Sequence, residues 1–184
     1  MILNKLELKI YLRHHFLQKR REISSARHNE ASQSLFKHFS NVSVDDYILS
    51  YACINDELNT NSLNQLYAAQ RKLLLPKVEG SNLRIFQVDD LENHLKNNSW
   101  GVPEPIPELC PEIDPARISL ALIPGLAFDR YNYRLGYGKG FFDRFLASLS
   151  ANTQTIGIGF KEQFAPDLLP TLPHDVALNK LTLF

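Results

Sequence analysis

The chain has little cysteine, no excess of either charge and no long apolar run. Its two cysteines, Cys53 and Cys110, have neither metal-ligand spacing nor the density of a disulfide framework, which leaves a reduced, cytoplasmic compartment as the simplest expectation. Lys+Arg and Asp+Glu each total 20, so no net field recruits nucleic acid or an anionic membrane, and neither is expected as a partner. Any anion site must then come from a local cluster of cations. The longest apolar stretch, ISLALIPGLAF (118–128), is interrupted by Pro124 and Gly125 and is too short to span a bilayer. The opening MILNKLELKIYLRHH scatters charges among its apolar residues and lacks a signal-peptide core. Internal repeats and low-complexity tracts are absent as well.

What remains is the composition of an ordinary globular protein, 44% hydrophobic and 22% charged, over 184 residues that suit a single domain, 1–184. Residues 5–23 and 25–40 read as helices, and 60–72 as a third behind a threonine cap at Thr60. Strands are expected at 47–52, 72–78, 82–88, 117–124 and 155–160, and short helices at 89–97 and 141–149. The segment 100–115 holds five prolines in sixteen residues and reads as an ordered connector, since proline cannot sit inside a helix or a central ladder. The stretch 117–124 is apolar on both faces, as a central parallel strand is. Strands alternating with helices predict a layered α/β fold with a mostly parallel central sheet.

Glycine is also scarce, eight residues in all, yet three of them fall within RLGYGKGFFDRF (134–145) around Lys139. The order strand, loop, glycine cluster, helix places backbone amides and a helix start beyond the end of a strand, where α/β proteins bind ligands and where a phosphate is well received. Lys139 adds a mobile charge, although a glycine-rich turn with a solvated lysine has the same composition. The spacing matches neither the P-loop nor the dinucleotide fingerprint. Asp143, in the first turn of the next helix, either compensates the helix dipole or ligates Mg²⁺ beside phosphates. Arg134 either grips a phosphate or braces the turn.

The first helix carries a second anion-receptive feature. At about 100° per residue, Leu6, Ile10 and Leu17 form one apolar row and Leu12, Phe16 and Ile23 another. Lys9, Arg13 and Arg20 lie between the rows, facing inward. A buried cation without a partner costs several kcal/mol. Their partner is therefore either a carboxylate of the chain itself or a bound polyphosphate.

The segment LIPGLAFDRYNYRLGYGKGFFDRFL (122–146) closely resembles the signature of the 5-formyltetrahydrofolate cyclo-ligases, roughly P-G-x-A-F-D-x-x-G-x-R-L-G-x-G-x-G-Y-Y-D. The likeness extends to Lys9 and Arg13 (K-x-x-x-R), Asp56-Glu57, Leu75-Pro76-Lys77, Glu104-Pro105 and the tail IGIGFKEQ…LPTLPHD (156–175). Two departures stand out. Asn132 replaces a glycine, a position that asparagine can hold in a left-handed conformation, and Phe141-Phe142 replace a tyrosine pair.

The resemblance implies a NagB/RpiA/CoA-transferase-like α/β/α fold and an ATP- and Mg²⁺-dependent closure of 5-formyltetrahydrofolate to 5,10-methenyltetrahydrofolate, by a monomer or weak homodimer. By position, it implies that Lys9, Arg13, Arg134, Leu135, Gly136, Tyr137, Gly138, Lys139 and Gly140 bind ATP, with Arg134 and Lys139 acting in catalysis. Asp143 and Asp175 would hold magnesium, and Ala52, Glu57 and Trp100 would meet the folate. From the residues alone, Asp175 reads as a turn-capping acid, Glu57 as a helix-start residue and Trp100 as a buried anchor for the proline-rich segment. A nucleotide-binding module without turnover, or another small-molecule phosphotransferase, would use the same loop.

Overall fold

The computed structural model describes residues 4–184. Its elements in chain order are α1 (Lys5–Arg21), α2 (Ser25–Phe39), β1 (Tyr47–Leu49), α3 (Asn61–Ala69), β2 (Leu73–Glu79), β3 (Asn82–Gln87), β4 (Leu95–Asn97), β5 (Pro103–Pro105), β6 (Ile118–Ile123), β7 (Ala127–Phe128), β8 (Arg134–Leu135), α4 (Phe141–Leu146), β9 (Gln154–Gly159) and β10 (Lys180–Leu183). Six strands form one sheet in the order β10-β9-β6-β1-β2-β3, parallel throughout except for the antiparallel edge strand β3. The predicted α/β class with a mostly parallel sheet is the one observed.

Strand β6 shows why the sheet is layered. Leu120 and Leu122 join the cluster that contains Leu35 and Phe39 of α2 and Leu63 and Tyr67 of α3. Ala121 and Ile123 face the opposite cluster, with Phe145 and Leu146 of α4. Helices on both faces bury a strand that is apolar on both faces. A third cluster gathers Phe16 of α1 with Leu126, Ala127 and Leu135, so α1 packs on the β7–β8 ribbon rather than on the sheet.

That ribbon is anchored by one ring. Phe128 is fully buried, and Gly125, Gly157 and Gly159 surround it. A Cβ at Gly157 would sit 2.8 Å from the ring, and one at Gly125 2.9 Å. In the turn that follows, Asp129 accepts from the amides of Tyr131 and Tyr133 at 3.0 Å each and from that of Leu169 at 3.1 Å. Asn132 occupies the left-handed region at φ +65°, as expected where the family signature has glycine.

Several expectations are corrected. Residues 89–97 are not a helix: the Asp90 carboxylate accepts from the amides of Glu92 and Asn93 in a single turn, and Leu95–Asn97 then pairs with β5 as a strand. Its partner lies inside the proline-rich connector, where Pro103 and Pro105 are tolerated in a two-stranded ribbon. Thr60 precedes α3 but makes no side-chain cap; its hydroxyl donates to the Tyr51 carbonyl at 2.8 Å. In α1, Leu6 and Ile10 are exposed while Lys9, Phe16 and Arg20 are buried, so the inward face carries the cations together with Phe16. Both cysteines are free thiols, and among the described residues no helix is long and apolar enough to cross a membrane.

Replacing Phe128 by alanine empties a fully enclosed site and is expected to lower unfolding free energy by about 3–5 kcal/mol, measured by urea denaturation.

Candidate functional site

A cleft of about 650 Å³ opens where β1 and β6 end, lined there by Tyr51, Ala52, Pro124 and Gly125. This is where ligands of parallel α/β sheets bind, and the volume suits a small-molecule site. One wall is the glycine loop from Arg134 to Asp143, the opposite wall the β4–β5 ribbon with Trp100, and α1 contributes Leu6, Lys9 and Arg13. Glu57, Asp175 and His174 complete the lining. Every residue singled out for binding, catalysis or metal thus lies around one cavity.

The glycines of the loop make room for guanidinium groups. A Cβ at Gly138 would stand 3.1 Å from the Arg13 guanidinium carbon, one at Gly136 2.8 Å from Arg134 Nη1, and one at Gly140 2.9 Å from Arg144 Nη1. Arg13 Nε also donates to the Gly136 carbonyl at 2.9 Å. Gly138 (φ +102°) and Gly140 (φ +68°) further need the left-handed region that only glycine enters without strain. Arg144 holds the far side, donating from Nη2 to the carbonyls of Ser81 at 2.5 Å and Lys139 at 3.1 Å.

Two of the inward cations already have acidic partners. Lys9 Nζ lies 2.5 Å from Asp175 Oδ2, which also accepts from the Leu172 amide at 2.7 Å. Asp175 is therefore both a turn cap and an ion-pair partner. Burial alone would raise its carboxyl, but the Lys9 ammonium and the Leu172 amide outweigh burial and hold it below its ordinary value. Arg20, 2% exposed, donates to Asp56 Oδ2 at 3.2 Å and to the Tyr137 hydroxyl at 2.6 Å, and lies 3.9 Å from Glu57. The Tyr137 hydroxyl in turn donates to Glu57 Oε1 at 3.1 Å. Burial, then the Glu57 charge, push the Tyr137 phenol up to about 12. Burial likewise raises Glu57 against the pull of Arg20. Arg13 has no carboxylate partner among the described residues, and Lys139 is exposed.

Arg134 is buried, and its Nη2 donates to Asp143 Oδ1 at 3.0 Å while its buried Nε has no partner. Its guanidinium lies 5.4 Å from the centre of the Phe142 ring. Phe141 faces Trp100 at 6.4 Å and carries the Arg144 guanidinium at 5.6 Å. The two phenylalanines thus act through their faces. Trp100, 59% exposed and turned toward the cleft, is not the buried anchor its surroundings in sequence suggest. Among the described residues no group of three metal-binding side chains occurs. Asp143 and Asp175 both lie close enough to influence Arg134, a two-carboxylate arrangement that suits magnesium only when phosphate oxygens supply further ligands. Residue patterns did not single out Phe141, Phe142, Asn98 or Leu6 as cleft residues; the N-x-W-G spacing of a side-chain-capped turn was the available signal for Asn98.

Fold and cleft together define a parallel α/β protein whose aromatic-lined, anion-receptive pocket suits a flat ligand and a phosphate. The chain belongs to the 5-formyltetrahydrofolate cyclo-ligase family, whose model matches residues 5–183. It is 32% identical over 122 residues to a probable 5-formyltetrahydrofolate cyclo-ligase of Schizosaccharomyces pombe, covering 60% of this chain and 59% of that one. A 5-formyltetrahydrofolate cyclo-ligase of Escherichia coli is 27% identical over 88% of this chain and 92% of its own. The matches span 59%, 47% and 41% of the yeast, Arabidopsis thaliana and Mycolicibacterium smegmatis relatives. Among solved structures, the 5,10-methenyltetrahydrofolate synthetase of Aquifex aeolicus superposes with a TM-score of 0.82 at 26% identity, covering 95% of this chain and 88% of that one.

The Asp175 shift gives a pH prediction. A carboxyl held low in the folded state adds stability that is present above its unfolded value of about 3.8 and is lost as pH falls through the folded value. Stability of Asp175→Asn should therefore vary less steeply with pH below about 4 than that of the parent, read from urea midpoints.

Proposed function

We propose that the chain catalyses the ATP-dependent cyclisation of 5-formyltetrahydrofolate to 5,10-methenyltetrahydrofolate with release of ADP and phosphate. The observation that carries this reading is the meeting of Arg13, Arg134, Lys139 and the glycine backbone with Trp100 and Phe141 in one cleft. Cationic groups for a phosphate and aromatic faces for a flat ring then line the same cleft.

An amide oxygen is a poor leaving group, and phosphorylation makes it a good one. The formyl oxygen attacks the γ-phosphorus of ATP, forming a new P–O bond as the bond to ADP breaks. N10 then adds to the formyl carbon and gives up its proton, and phosphate departs with the former formyl oxygen. Such chemistry asks the protein mainly for alignment and charge neutralisation. Arg13 and Lys139 supply charge without internal competition from carboxylates, and the left-handed glycines let backbone amides approach an anion. Arg134 offers its unpartnered Nε, held in place by Asp143 and the Phe142 face. Glu57, oriented by Tyr137 and the Ile54 amide, presents a buried acceptor to the N–H groups of a pterin.

Magnesium fits the donor set only in part: Asp143 and Asp175 are carboxylates on one cleft, each already hydrogen-bonded to a cation. When bound, magnesium would neutralise phosphate charge, and Asp143 and Asp175 are the residues to hold it. Lys9, released from Asp175, would then turn to a phosphate.

Mixing the protein with 5-formyltetrahydrofolate and MgATP should generate methenyl absorbance. ATP hydrolysis without it would instead indicate another phosphotransferase, and nucleotide binding without hydrolysis a binding module. Arg13→Ala and Lys139→Ala should each weaken MgATP binding by about 1–3 kcal/mol through lost charge-assisted contacts, measured by calorimetry. Asp143→Asn should reduce turnover more than thermal stability; full activity with a lowered melting temperature would assign it to bracing Arg134 alone.

A further inference from the structure

Trp100 is the single tryptophan of the chain, and it sits at the tip of a ribbon held by three residue pairs between β4 and β5. So short a ribbon is not rigid by itself. What fixes its tip is a pair of polar side chains on the ribbon, Glu104 and Asn98, that link it to the main sheet. The Glu104 carboxylate, 5% exposed, accepts from the Val78 amide of β2 at 3.2 Å and from Lys77 Nζ at 3.3 Å. It also accepts from Asn98 Nδ2 at 2.8 Å. The carbonyl oxygen of the same Asn98 side chain takes the amides of Trp100 at 2.9 Å and Val102 at 3.1 Å. Backbone bonds from Asn98 to Val102 and from Gly101 to Asn98 close the turn.

We propose that Glu104 and Asn98 are positioning residues for the folate ring: they tether the Trp100 turn to β2 and set the gap between Trp100 and Phe141. The reasoning rests on the proposed folate reading, and it gives the buried carboxylate a task unrelated to phosphate. Lys77 of β2 is occupied by Glu104 and belongs to the tether. A network in which every member is hydrogen-bonded holds one geometry, and loss of a middle member leaves the others buried without partners. Trp100 and Phe141 stand 6.4 Å apart with their planes 36° off parallel, so a flat ring entering between them depends on where the ribbon stops.

The tryptophan makes the tether directly observable. In the ligand-free full-length protein, Asn98→Ala and Glu104→Gln should lower Trp100 fluorescence anisotropy at unchanged protein size. In turnover, KM for 5-formyltetrahydrofolate should rise on the order of tenfold, the loss expected for a buried hydrogen bond. Turnover number and KM for MgATP should stay within about twofold, because the altered residues touch neither reacting group. Asn98→Asp separates the tether from a local turn: it keeps the acceptor for the Trp100 and Val102 amides but sets a carboxylate against Glu104. An anisotropy as low as that of Asn98→Ala supports the tether, and a parental value overturns it. Lower anisotropy with unchanged folate KM would overturn the positioning role. Should Asn98→Ala fail to fold by circular dichroism, Glu104→Gln, which keeps the side-chain shape, decides the matter. Failure of the parent protein to turn over folate would count against the proposed function alone, since the anisotropy comparison needs no ligand.

Discussion

The cleft depends on one steric fact: three guanidinium groups lie where a Cβ on the glycine loop would otherwise stand. Gly136, Gly138 and Gly140 face the guanidinium groups of Arg134, Arg13 and Arg144. These arginines come from β8, α1 and α4, so the loop is where three separate elements meet. The same device appears in the hydrophobic layer, where Gly125, Gly157 and Gly159 leave the volume that the Phe128 ring fills. The scarcity of glycine elsewhere follows, since an idle glycine costs conformational entropy on folding.

Most of the buried cations in and beside the cleft are paired with acids of the chain itself. Lys9 faces Asp175, Arg134 faces Asp143, and Arg20 faces Asp56, Glu57 and the Tyr137 hydroxyl. Buried cations of one sign alone would carry a large desolvation penalty. The pairs offset that penalty, and among the described cleft residues Arg13 and Lys139 are cations with no carboxylate partner.

Much of this was legible in the residues. The inward direction of Lys9, Arg13 and Arg20 follows from helical spacing, and the central position of β6 from its two apolar faces. The ordered motifs from Lys9 to Asp175 mark the family. Errors fell where structure depends on a distant partner. The ribbons β4–β5 and β7–β8 are two or three residues per strand and exist through their partners. Leu6 and Ile10 look like core residues by periodicity but are exposed, because the β7–β8 ribbon covers α1 farther along, around Phe16.

By itself the sequence determined the alternation of strands and helices, the left-handed turn at Asn132 and the gathering of glycines around a lysine, since each is a matter of local conformation or periodicity. Only the tertiary structure decided which acid meets which base and that Trp100 faces the cleft instead of the core. It also joined Glu104 to Asn98 and Tyr137 to Glu57, 80 residues apart in the chain. The reason is physical: hydrogen bonds and ion pairs are short-ranged, and the distances that decide them are set by packing between elements.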